Sequence, residues 1–403
     1  MKLIRLNNDN NNNAVTVSEP ITVTVETAPA EKKTRNKRAK KTAPAVETVQ
    51  AVDATPVEPV EPLTTGETAD VHNIVSPTNA KTYNLNKLFY DNCIIKEMEL
   101  NLKIQSPDAV PMIDSSYCFN KELTDQILLY LAEPNHDCLW IAGPAGTGKT
   151  TSVLQVAARL GIPVQQITCS NKCEALDLIG HTTLVNGSLQ FVYGPLTTAL
   201  KNGEILLLNE LDTMSASDLS ALNDVLEGKP LTIVQNNGEV IKPHPNFRLI
   251  ATANTFGNGD EYGMYSGTRI LNQAFLDRFR FVRADAPSAS DVTRLINKVY
   301  GERLGKDNVT NLGKMYEEVQ TIIKTGMENG VVQLSAPFSI RTVLKIAGLM
   351  ASKVLSIQQC VDTAIGARLN KDESKYLTQL ANDIWGHEKS QEKEMGAVAK
   401  VTL

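Results

Sequence analysis

Apolar and polar positions change rhythm several times along this chain. From residue 82 apolar residues recur at regular spacing, and residues 119–131 carry the three-to-four-residue period that predicts a helix. Residues 139–142 are uniformly apolar and short, as a buried strand would be, and residues 150–160 return to helical spacing with Val153, Val156 and Ala157 on one face. Two later runs resemble the first: residues 205–208 lead into Asn209 and Glu210, and residues 248–253 lead into Asn254. Ahead of each lies a stretch, 183–190 before the former and 231–242 before the latter, in which Asn186-Gly187 and Asn236-Asn237-Gly238 are flanked by alternating apolar residues. That is the strongest short-range signal for a β-hairpin. Beyond Pro287 the spacing is helical.

The leading residues have a different texture. An asparagine tract at 10–13 and a stretch rich in Val, Pro, Glu and Thr at 43–70 hold too few large apolar side chains to build a core. Alternation at 21–25 would make a strand only where a partner supplied an edge. The expected organisation is therefore a disordered leader over 1–80, an α/β core with its N-terminal helical segment over 81–286, a helical lid over 287–390 and a flexible tail over 391–403.

Composition narrows the classes. A chain of 403 residues with 42% hydrophobic and 21% charged content can bury more than one domain. No run approaches the roughly 18 apolar residues needed to span a bilayer, and residues 1–6 give way to asparagines where a secretory signal would turn apolar. The expectation is a cytoplasmic protein without a membrane span. Six cysteines lack a repeated short spacing, which favours buried thiols over disulfides or zinc, and the pair Cys169 and Cys173 has no second pair to complete a metal site. A net charge of -5 argues against a general nucleic-acid surface. Lys32, Lys33, Arg35, Lys37, Arg38, Lys40 and Lys41 nevertheless form one basic run, open to nucleic acid, to an acidic partner, or to a solvated tail that aids solubility.

Candidate chemistry sits where strand turns to helix. Gly143, Pro144, Ala145, Gly146, Thr147, Gly148, Lys149 and Thr150, followed by Thr151, fit the Walker A pattern GxxxxGK(S/T) in its required strand–loop–helix context. Glycines let backbone N–H groups close around phosphates, the helix start adds partial positive charge, Lys149 reaches the β and γ phosphates, and the Thr150 hydroxyl can ligate Mg2+. ATP with Mg2+ is the expected ligand pair. The strand ending in Asn209-Glu210 supplies a Walker B candidate, in which Glu210 can polarise an attacking water. Asn209 stands where an aspartate ordinarily holds Mg2+ through water, so an amide keeps the hydrogen bonds and loses the charge. Two roles are open to Asp212: compensating for that charge, or capping a helix that starts near Ser215. Asn254 ends the third apolar run. Alone it would be a turn former, but after Walker A and Walker B it reads as a sensor of the γ phosphate (sensor 1).

These elements, with Asp177-Leu-Ile-Gly180, Gly194-Pro-Leu196 and Leu276-Asp-Arg-Phe279, resemble the MoxR-type and dynein-related branch of AAA+ proteins. Within it, Val240-Ile-Lys-Pro-His-Pro245, Phe247-Arg-Leu249, Ala251-Thr-Ala-Asn-Thr255, Gly259-Asp260, Tyr265, Gly267-Thr268, Asn272-Gln-Ala274 and Asp277-Arg278 resemble the CobS-type ATPase subunit of aerobic cobaltochelatase. Similarity covers residues 110–283, with a weaker echo beyond. The resemblance implies an α/β P-loop core with a helical lid, a ring of subunits, a hexamer, that hydrolyses ATP, and a partner carrying a von Willebrand A-type domain. It makes Arg278 an arginine finger reaching a neighbour's ATP; pairing with Asp277 and competition from Arg280 are the alternatives. It makes Arg341 a sensor 2 arginine, although Ser335-Ala-Pro-Phe-Ser-Ile-Arg341 is looser than the family's Ser-Pro-Arg and leaves a surface arginine in a helix's first turn as the other reading. The two hairpins match insertions that face the ring pore or the partner.

Overall fold

The computed structural model describes residues 80–260, 265, 267–328, 334 and 336–386, together with the backbone of residues 2–6. Most of the expected leader, with its basic run from Lys32 to Lys41 and the alternation at 21–25, lies outside the described residues, as do Ser335 and the tail at 391–403; its residues 2–6 depart from the expectation of disorder, because they pair as a strand.

The centre is a five-stranded parallel sheet in the order β12-β4-β11-β8-β5, where β4 is Cys138–Ala142, β5 Val164–Thr168, β8 Ile205–Asn209, β11 Arg248–Ala253 and β12 Phe279–Arg283. Every residue of β4, β8 and β11 is buried, which is why these strands read as unbroken apolar runs and not as alternations. Alternation reappears across the sheet. Trp140, Leu206, Leu208 and Ala251 pack into one layer, while Leu139, Ile141, Leu207 and Ile250 pack into the other with Val153, Val156 and Ala157 of the helix Lys149–Leu160. The helix Lys121–Ala132 covers the same layer as that helix, and its buried Tyr130 hydroxyl donates to the Leu249 carbonyl at 2.9 Å.

The strand order matters for the site. Because β11 lies between β4 and β8, the register pairs Ala142 with Ala253 and Asn209 with Thr252, so the carboxyl ends of three strands finish side by side. Ligands of open parallel sheets bind at such ends.

Smaller elements surround this sheet. Strand β3 (Ile95–Asn101) is sandwiched in an antiparallel sheet between β1 (Lys2–Leu6) and β2 (Ala80–Asn84), a pairing that the sequence does not announce. Both expected hairpins form. Strands β6 (Gly180–Val185) and β7 (Ser188–Tyr193) turn at Asn186-Gly187, both at positive φ, and β9 (Leu231–Ile233) and β10 (Glu239–Ile241) are joined through a 3-10 turn at Val234–Asn236. Helices Ala289–Leu304, Lys306–Glu328, Ile340–Ala351, Ile357–Ala364 and Lys371–Gly386 build a separate helical core from Ile296, Leu312, Tyr316, Val343, Ile346, Cys360 and Trp385, the lid. All six cysteines are free thiols, and Cys169 and Cys173 sit in the sheet's core. No helix of the described residues is long and apolar enough to cross a membrane.

Candidate nucleotide site

The loop 143–148 leaves β4 and enters the helix Lys149–Leu160. Two glycines are demanded here by geometry. A Cβ on Gly143 would stand 2.1 Å from the Ala284 carbonyl oxygen, and Gly148 caps the helix at φ 88°, a left-handed backbone that other residues resist. The Lys149 ammonium folds back over the loop and donates to the carbonyls of Gly143 (2.7 Å) and Pro144 (2.9 Å) and to Oδ1 of Asn254 (3.2 Å). Burial pushes its pKa down to about 8; the Asp212 and Glu210 carboxylates oppose that fall and Arg341 adds to it.

The Thr150 hydroxyl donates to Asn209 Oδ1 at 2.6 Å, and the buried Thr252 hydroxyl donates to the same oxygen at 3.0 Å. The Asn209 amide nitrogen is turned away toward the Ile167 carbonyl, 3.4 Å off, so the amide presents its oxygen to Thr150. Glu210 follows at φ 56°, ψ 40°, a left-handed turn that ends the strand and leaves Glu210 on the wall of the cavity that the loop also lines. A cavity of about 280 Å³ is lined by Ala145, Gly146, Gly148, Lys149, Thr150, Thr151, Asn209, Glu210, Asn254 and Arg341. Its lining is that of a polyphosphate cradle: backbone amides, two cations, and the oxygens of Thr150, Asn209 and Glu210. Those oxygens are the hard donors that Mg2+ prefers.

A second cavity, about 720 Å³, opens between the other side of the loop and the lid, against Pro144, Ala145, Gly146, Thr147, Pro287, Tyr316 and Phe338. The Thr147 hydroxyl donates back to the Pro144 carbonyl at 3.1 Å. Ser339, which precedes the helix Ile340–Ala351, crowds the loop so closely that a Cβ on Gly146 would lie 2.5 Å from its Cβ. Arg341 therefore enters the cradle from the first turn of a lid helix, although its spacing from Ser335 is wider than the family pattern.

Arg278 is placed elsewhere. Its carbonyl accepts from Cys138 N at 3.0 Å, at the start of β4, whereas the loop follows the end of that five-residue strand. One strand length, about 16 Å at ~3.3 Å per residue, separates the two. Its guanidinium pairs with Glu227, donating from Nε at 3.0 Å, and not with Asp277; Arg280 is engaged by the Glu133 carbonyl and Asp137. Glu227's carboxyl is held below the usual range by hydrogen bonds from Lys229 and Arg278.

Asp212 departs from the expected capping role. The helix Ala216–Ser220 is capped by Ser215, whose hydroxyl accepts from Asp218 N at 3.2 Å, while Asp212 is fully buried and faces the end of β11. Three contributors were not singled out by sequence reasoning for their contacts: Thr252, Thr255 and Tyr265, whose hydroxyl accepts from Ala145 N at 3.3 Å. Thr252 could have been found, since it precedes Asn254 by two residues and shares its face of the strand.

The AAA domain of the dynein-related subfamily matches residues 139–279, the span from β4 to the start of β12. The aerobic cobaltochelatase subunit CobS of Sinorhizobium sp is 34% identical over 241 residues, covering 58% of this chain and 71% of that protein. The chain belongs to the AAA+ family, in its dynein-related, MoxR-like branch. The protein NorQ of Paracoccus denitrificans is 26% identical over 265 residues, 65% of this chain and 92% of its own length. Midasin of Giardia intestinalis is 25% identical over 240 residues, which is 59% of this chain and 5% of midasin. The GxxxxGK(S/T) loop and the Asn209-Glu210 pair stand at the carboxyl ends of β4 and β8, the strands that flank β11 in this sheet.

Proposed function

We propose that the protein binds ATP with Mg2+ and hydrolyses it between the subunits of a hexameric ring, using the cycle to remodel a partner protein. The observation that carries this reading is the separation of roles in space. Lys149, Thr150, Asn209, Glu210, Asn254 and Arg341 converge on one cavity, while Arg278 lies a strand length away and cannot serve the nucleotide of its own subunit. Lys149 and the loop amides bind the β and γ phosphates. Glu210 orients and polarises the attacking water, Asn254 holds the γ phosphate in line, and Arg341 brings the lid to it. Thr150 and Asn209 would hold Mg2+, which would supply neutralisation of phosphate charge there. Arg278 of one subunit neutralises transition-state charge in the next, a contribution of roughly 10³ to 10⁵ in rate in phosphoryl transfer.

The exposed hairpin side chains Leu184 (66%), Leu189 (75%), Val234 (78%) and Val240 (57%) support contact with a partner, because large apolar groups this open are otherwise left to solvent. The branch suggests a von Willebrand A-type partner in the cytoplasm. Asn209 favours one second reading, an ATP-gated assembly module with little turnover, since the amide brings no charge to the metal.

Mixing tests the shared site. Lys149→Ala and Arg278→Ala subunits are each expected to be inactive alone, and mixed rings to recover ATPase activity, because a Lys149→Ala subunit still offers its finger to an Arg278→Ala neighbour. Mixtures as inactive as the parents would reject catalysis in trans.

A further inference from the structure

We propose that Asp212 is a positioning residue for hydrolysis, fixing the backbone where β11 ends so that Asn254 faces the γ phosphate; this rests on the ATPase reading above. Asp212 sits in the 3-10 turn Leu211–Thr213 directly after Walker B and is 0% exposed. Its Oδ2 accepts three hydrogen bonds from the adjacent strand end: Asn254 N at 3.1 Å, Thr255 N at 3.0 Å and the Thr255 hydroxyl at 2.8 Å. Its Oδ1 is buried with no partner among the described residues.

A buried carboxylate is costly unless its hydrogen bonds offset the loss of water, and here all of them come from the two residues that follow the neighbouring strand β11. The geometry serves that strand. Asn254 is the first residue past β11, where the sheet ladder has ended, and the Asp212 carboxylate takes up its N–H instead. From that fixed backbone the Asn254 side chain reaches Lys149 at 3.2 Å. Asp212 does not line the phosphate cavity, so it acts through Asn254 and not on the substrate. Its own carbonyl accepts from Arg269 N at 2.8 Å, which ties the same turn to the segment that runs on through the Asn272-capped helix Gln273–Leu276 to Arg278.

Five variants and two readouts test this. Asp212→Ala is expected to lower kcat about 100-fold, the order of a catalytic group displaced by about 1 Å, while ADP affinity stays within about threefold because ADP has no γ phosphate. Thr255→Val keeps the shape and removes one of the three donors; kcat should fall about three- to tenfold. Asp212→Asn retains an acceptor oxygen and should stay within about fivefold of the natural rate. Combined with Asn254→Ala, the loss from Asp212→Ala should not multiply, since both changes act on one interaction. Natural turnover in Asp212→Ala, multiplying losses in the double variant, or ADP affinity falling in step with kcat would each overturn the assignment. If Asp212→Ala does not fold, Thr255→Val decides: reduced kcat with intact ADP binding supports it, unchanged kcat overturns it. If the natural chain hydrolyses no ATP, the ATPase reading is what fails. The positioning role is then read from the preference for ATP over ADP, which Asn254→Ala and Thr255→Val must lower together.

Discussion

Lys149 shows at the scale of one residue how the site is prepared for an anion. Its ammonium is held among carbonyls in a partly enclosed loop, and burial brings its pKa from 10.5 to about 8. Between those values the unfolded chain holds the proton and the folded chain does not, so the empty protein gains stability as pH rises through the window. The cost of a charged, desolvated amine is fully present below about pH 8. Phosphates reverse the balance by favouring the charged form. Calorimetry in buffers of different ionisation enthalpy should therefore show uptake of up to about three quarters of a proton per nucleotide at about pH 8.5 and almost none at about pH 6.5. Equal uptake at both would mean that Lys149 is not the group engaged. Asn209 is the other informative residue. The sequence alone reveals that an amide replaces the expected aspartate, but not that Thr150 and Thr252 both donate to its oxygen, because Thr252 arrives on a neighbouring strand.

Elements were legible in proportion to how local their causes are. Asn186-Gly187 requires positive φ at both positions, and that local demand announces the hairpin β6–β7 without any knowledge of the fold. Asp212 shows the opposite case: a polar residue just before Ser215 looks like a cap, and only the placement of β11 beside β8 converts it into a buried acceptor. The two hairpins are also joined in a way that sequence cannot show. Glu239 of β10 accepts from the Tyr193 hydroxyl of β7 at 2.8 Å and from Asn236 Nδ2 at 2.6 Å, and Lys201 lies 3.8 Å from Glu239 and over the Tyr193 ring. Partly exposed contacts of this kind contribute little to global stability, on the order of 1 kcal/mol or less. They can still govern local opening. Glu239→Ala is expected to speed amide exchange in both Ser188–Tyr193 and Glu239–Ile241 while shifting Tm by no more than about 4 °C. Faster exchange in one hairpin alone would show that the latch does not couple them.

Across the whole molecule, the order β12-β4-β11-β8-β5 brings the loop 143–148, Asn254 and Glu210 to one edge and leaves Arg278 at the other. The parallel core could be read from three apolar runs ending in polar residues. The antiparallel sheet β1-β3-β2 could not, since it joins residues 2–6 to residues about ninety positions later, and no local pattern encodes so distant a pairing. The lid's place over the loop was legible only through the loose resemblance of the segment ending in Arg341 to the family's Ser-Pro-Arg, and in the structure it rests on Ser339 crowding Gly146. On the proposed reading, this arrangement makes hydrolysis a property of the assembly. Steady-state ATP hydrolysis across a range of protein concentration, for the natural chain beside Glu210→Gln and Arg278→Ala, measures that directly. The account predicts specific activity that climbs as subunits assemble and vanishes in both variants while nucleotide binding persists. Activity independent of concentration, or a natural chain that binds ATP yet releases no more phosphate than Glu210→Gln, would contradict it.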